Sequence, residues 1–113
     1  MAQDDSTTVD ILTVMKEVTP HLATLTTEMV FGDVWARPEL SKRDRSLITV
    51  AVLTAQYRTD QLRGHIARAL DNGVTAEEIG EVITHMAIYA GWPPAVNAAR
   101  VAKEVFDQAN EST

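Results

Sequence analysis

The chain has 113 residues, 45% apolar and 23% charged, with a net charge of −6, no cysteine and two each of Trp, Tyr and Phe. That length fits one domain that buries about two-thirds of its unfolded surface, with Leu, Ile, Val and Ala building the core. The acidic balance argues against nucleic acid as a partner, because phosphate neutralisation needs a basic face. The lack of cysteine excludes disulfides, thiol redox chemistry and thiolate zinc sites.

Met1–Thr8 is polar and acidic, which predicts a flexible tail over 1–8 and no signal peptide. No apolar run approaches the ~20 residues of a membrane span, so the expectation is a soluble cytoplasmic protein with no membrane partner. Ile11, Val14, Met15 and Val18 repeat at helical spacing as one apolar stripe. Thr19–Pro20 stops that helix and starts a second, with Thr19 as N-cap and Pro20 at the first helical position. Leu22, Leu25 and Met29 carry the pattern toward Phe31, and Pro38 ends it by forcing Arg37 out of the helical region.

Ser41 is placed to cap a third helix, with Asp44 at capping-box spacing. Leu47, Ile48, Val50, Ala51, Val52 and Leu53 make this helix apolar nearly all round. A helix with no wet face is buried on all sides, more than a domain this small supplies alone, so subunit contacts are expected. Thr59 is expected to cap a fourth helix with the stripe Leu62, Ile66, Ala69 and Leu70, closed by Gly73. Thr75 and Glu78 form a second capping box. It opens a fifth helix carrying Ile79, Val82, Ile83, Met86 and Ala90, broken at Gly91. Pro93–Pro94 open the sixth helix, with Ala98, Val101, Ala102, Val105 and Phe106 inward. The reading is an all-α, single-domain bundle of about six helices over 9–109, with a frayed end over 110–113.

Two histidines stand out. His65 sits about 60° from the centre of its apolar stripe, and His85 aligns with Glu81 and Tyr89 at i−4 and i+4. The short link between their helices implies an antiparallel pair, which puts the histidines within ~5 Å of one height. Two readings stay open: they line one cavity, or His65 is a core histidine and Glu81–His85 a solvated pair.

Several separate motifs resemble one family. Phe31–Gly32–Asp33–Val34–Trp35, Arg37–Pro38 and Arg45–Ser46–Leu47 look like the first half of the carboxymuconolactone decarboxylase family. Leu62–Arg63–Gly64–His65, Asn72–Gly73–Val74–Thr75, Glu77–Glu78–Ile79 and His85–Met86–Ala87–Ile88–Tyr89–Ala90–Gly91–Trp92–Pro93 resemble its second half. The resemblance spans roughly residues 20 to 106 in order. It implies an alkylhydroperoxidase D-like helical fold, a homo-oligomer (trimer or hexamer), and neither a metal nor an organic cofactor. The superfamily also holds thiol peroxidases with a Cys-x-x-Cys-x-x-x-His signature. Here the cysteine positions fall on Arg58 and Gln61 while His65 keeps its place. Peroxidase chemistry therefore has no thiolate to run on.

The decarboxylase resemblance implies a small anionic lactone as substrate, 4-carboxymuconolactone in aromatic catabolism. It implies His65, His85 and Glu81 as catalytic residues and Arg45, Tyr89 and Trp92 as substrate-binding ones. Such chemistry needs a cation for carboxylate, which arginine's planar fork suits. It needs a donor where oxyanion charge develops and a weak acid to protonate carbon, for which histidine is fitted. Simpler fates stay open: Arg45 paired with Asp33 or Glu39, Glu81 a surface charge, Tyr89 a core residue, Trp92 an interface residue. The alternatives in function are another small lactone or oxoacid on the same fold, or a non-catalytic oligomeric binding module.

Overall fold

A computed structural model describes residues 11–111. The expected polar tail at 1–8 and the last two residues of the expected frayed end lie outside them. Every regular element among the described residues is helical. No helix among them is long and apolar enough to cross a membrane. The chain divides into two compact units, one ending at Ser41 and one beginning at Lys42.

The first unit holds a helix over residues 11–18 (α1) and a second over Pro20–Leu25 (α2). Pro20 takes the first helical position as expected. Thr19 precedes it without capping it: its hydroxyl donates back to the Met15 carbonyl at 3.0 Å, completing α1 instead. After Leu25 the backbone widens into a π-helical stretch, Thr26–Phe31, where continuous α-helix was expected. A single 3₁₀ turn, Val34–Ala36, follows and brings the Phe31 and Trp35 ring centroids to 5.9 Å. Arg37 is extended, as Pro38 requires.

The second unit is four helices: α3 (Lys42–Ala55), α4 (Thr59–Asp71), α5 (Ala76–Ala90) and α6 (Trp92–Glu111). α3 packs against α4 and α5, and α6 packs against the same two. α4 and α5, although consecutive, are not packed face to face. Their inner faces join through Val50, Leu62, Ile66, Ile79, Ala98 and Val101, all nearly inaccessible.

Within the chain α3 is buried along one face. Its inner face is Ser46, Val50 and Thr54, while Ile48 and Val52 are exposed within the chain. The two buried hydroxyls are satisfied: Thr54 donates to the Val50 carbonyl at 2.7 Å, and Ser46 Oγ accepts from Asn72 Nδ2 at 2.9 Å. The N-cap of α4 is Arg58, so Thr59 is its first helical residue and caps nothing. Gly73 does follow the end of α4, with φ +94°. α6 stays helical through Glu111, two residues past Ala109.

Candidate active site

Both ends of the fifth helix are specified by side-chain or backbone chemistry. Thr75 Oγ1 accepts from the Glu78 backbone N–H at 3.0 Å, and Glu78 Oε1 accepts from the Thr75 N–H at 2.9 Å. That reciprocal pair satisfies two of the helix's orphan donors. Gly91, at φ +112°, ends the helix in a conformation L side chains rarely adopt. Between these ends Glu81, His85 and Tyr89 follow one another a turn apart, on one strip of α5.

That strip borders a groove of about 600 Å³ between α3 and α5. α3 contributes Leu47, Ile48 and Ala51. α5 contributes Glu81, Val82, Thr84, His85, Met86 and Ile88. The groove is therefore an apolar trough with one carboxylate, one hydroxyl and one imidazole. Tyr89 stands at the next turn, its ring centroid 4.8 Å from that of His85 with the planes tilted by 34°. Tyr89 is 75% exposed and Trp92, at the start of α6, 67%. The Thr84 hydroxyl donates to the Gly80 carbonyl at 2.8 Å, so it serves the helix backbone.

His65 and Arg45 are placed elsewhere. Both are half-buried, His65 on α4 and Arg45 on α3, and neither lines the groove. The shared cavity that helical arithmetic allowed for the two histidines does not form within this unit, because α4 and α5 do not face each other. Burial, reinforced by the positive charge of Arg68, holds the His65 imidazolium below its ordinary value. His65 is thus biased toward its neutral form.

One residue that sequence reasoning passed over is tied to the groove. Arg43 Nη2 donates to Glu78 Oε2, joining the first turn of α3 to the first turn of α5. The Thr75 N–H and the Arg43 guanidinium together hold the Glu78 carboxyl below the usual carboxylate range. Arg43 is four residues before Leu47 and Glu78 four before Val82, but they lie on separate helices, so no signal in the sequence joins them. Among the described residues no three histidine or carboxylate side chains are grouped to hold a metal ion. What the groove offers chemically is an apolar wall beside a carboxylate and an imidazole.

Comparison with known proteins bears on the family of the chain. The model of the carboxymuconolactone decarboxylase family matches residues 20–104. The chain is 47% identical over 76 residues to a 4-carboxymuconolactone decarboxylase of Acinetobacter baylyi, covering 67% of this chain and 57% of that protein. It is 37% identical over 83 residues to nitrosuccinic acid decarboxylase npaB of Metarhizium robertsii, covering 74% of this chain and 58% of the relative. The chain thus matches less than two-thirds of the length of either relative. With its all-helical described fold and a match over three-quarters of its length, the chain belongs to the carboxymuconolactone decarboxylase family.

Proposed function

We propose that this protein catalyses cofactor-free decarboxylation of 4-carboxymuconolactone, a small anionic γ-lactone, in aromatic catabolism. The observation that carries the reading is the position of His85. It stands on an apolar trough, with Glu81 one turn before it and the Tyr89 ring against it. The carbon–carbon bond to the carboxylate breaks and CO₂ leaves. The electron pair passes into the conjugated lactone carbonyl, and protonation of carbon restores a neutral lactone ring. His85 supplies that proton and recovers it from solvent. Glu81 orients the imidazole, while Tyr89 and Trp92 flank the open end. The apolar wall favours loss of charge from the carboxylate, since a poorly solvated anion is less stable. Arg45 and His65, away from the trough, are given no step there. The protein acts in the cytoplasm as a homo-oligomer, trimer or hexamer, which the exposed Ile48 and Val52 on α3 support.

A second reading is favoured by the similarity to a nitrosuccinic acid decarboxylase. A nitro group accepts an electron pair as a lactone carbonyl does, so the same trough suits a small nitro-substituted diacid. Purified protein is offered the lactone and nitrosuccinate separately, with absorbance and CO₂ release followed. Turnover of the lactone at the higher kcat/KM is expected. Faster turnover of nitrosuccinate selects the second reading, and no CO₂ from either acid overturns both.

A further inference from the structure

We propose that Arg43, held in place by Glu78, binds a carboxylate of the substrate at the end of the α3–α5 groove, a role that rests on the decarboxylase reading for the identity of that substrate. The groove wall contains no lysine or arginine, and its one charged side chain, Glu81, repels an anion. An anionic substrate therefore needs a cation from just beyond the wall. Arg45 does not line the groove; it lies about 160° round α3 from Leu47 and about 60° from Ile48, whereas Arg43 is bonded to α5. Arg43 precedes Leu47 by four residues and Ala51 by eight, so it shares their strip about 6 Å along the axis. Across the cleft, Glu78 precedes Val82 by four residues and His85 by seven, on the corresponding strip of α5. The Arg43–Glu78 bond crosses at that level.

The hydrogen bonding leaves Arg43 ready for a second acceptor. A guanidinium has five N–H donors, and Glu78 takes one through Nη2. Asp44 Oδ1 lies 3.8 Å from Nη1, an ion pair without a hydrogen bond. Glu78 is itself fixed by the Thr75 N–H at its other oxygen. One edge of the fork is thus anchored to a rigid acceptor, and that bond uses one of the five donors. The side chain is 38% exposed, so a ligand reaches it. A planar carboxylate is the ligand whose two oxygens match a free guanidinium edge. His85 lies ~10 Å farther along α5 than Glu78, and the reach of its own side chain, with a small diacid, covers that separation. A diacid anchored at Arg43 places its other end beside the imidazole.

The test compares wild type with Arg43→Gln and Arg43→Lys. The expected result for Arg43→Gln is a rise in KM for the lactone of about tenfold or more, with kcat little changed, and partial recovery in Arg43→Lys. The monoester of the lactone, lacking the remote charge, shows no such rise. Succinate, titrated into each protein and followed by NMR, separates binding from turnover: its affinity falls in Arg43→Gln by a comparable factor, while that of propionate does not. Unchanged succinate affinity in Arg43→Gln, even with a lowered Tm, overturns the proposal and leaves Arg43 as a helix tie. Wild-type protein that binds no succinate overturns it too. Arg43-dependent succinate binding without lactone turnover keeps the carboxylate site and removes the decarboxylase reading instead.

Discussion

His85 and His65 are the same residue type in opposite settings, and each setting makes its own demand. His85 is exposed on a trough wall, where a proton donor can meet both substrate and solvent. Replacing it with asparagine keeps a polar group but removes the proton, so kcat falls by about 10²–10⁴-fold while KM for the lactone changes little. Glu81→Gln lowers kcat less, again at nearly constant KM, because it acts through the imidazole. Wild-type kcat in His85→Asn would remove the assignment. His65 instead is half-buried, with a proton affinity lowered by burial and by Arg68. In the unfolded chain it takes up a proton from about its ordinary value of 6.5, while the folded chain resists. The unfolded state then binds more protons, so stability falls as pH drops below about 6.5 toward the folded value. Glu78 works in a separate window: its stabilisation is full above its ordinary 4.5 and is lost as pH falls through its lowered folded value. His65→Gln should therefore flatten the decline of Tm between pH 7 and 5 and leave the steeper loss at lower pH intact. An unchanged slope between pH 7 and 5 counts against this account of His65.

At the level of the helix, α5 shows what a sequence specifies locally. Thr75 and Glu78 stand three apart ahead of an apolar run, and the reciprocal bonds form as that spacing requires. Thr75→Ala removes the hydroxyl acceptor and should cost about 1 kcal/mol, read as a lower urea midpoint with an unchanged slope. A loss in Thr75→Ser as large as in Thr75→Ala would show that the methyl group, and not the cap, matters. Gly73 and Gly91 were equally legible, because a helix end at positive φ leaves few alternatives to glycine. Thr59 was not: a threonine before an apolar stripe resembles a cap, yet the turn at Tyr57, with φ +60°, makes Arg58 the last non-helical residue. The π-helical stretch at Thr26–Phe31 escaped for a similar reason, since Leu22, Leu25 and Met29 satisfy α-helical spacing and one extra residue per turn barely disturbs it. The pairing of helices was the larger gap. A short link argues for adjacency, but Val74 and Ile79 drop into a core shared with α6 and leave α4 and α5 apart. Glu81, His85 and Tyr89 could be grouped from the sequence because one helix carries them. Arg43 could not, because its relation to them exists only once α3 lies beside α5.

For the molecule, the unresolved balance is on α3 and the outer side of α5. A helix apolar nearly all round has half its surface met by the four-helix unit. Ile48 remains 57% exposed, and across the groove Ile88 is 71% exposed. Isolated apolar residues on a surface need no explanation, but two of them bordering one apolar trough form a patch of the kind that marks association. A reaction that discharges a carboxylate also gains from excluding water above the trough. Association between copies meets both demands, and closed symmetry limits it to a defined number of subunits. Light scattering on the purified protein should give three or six times the chain mass. Introducing Ile48→Glu and Ile88→Glu together places like charges in the patch and should shift the protein toward monomer. Its helical circular dichroism should persist, because neither side chain belongs to the buried core. Lactone turnover should fall with dissociation and return in part at high protein concentration, which a defect confined to the catalytic side chains would not reproduce. A wild-type protein that stays monomeric at tens of micromolar, yet turns over the lactone, would mean that the trough works uncovered.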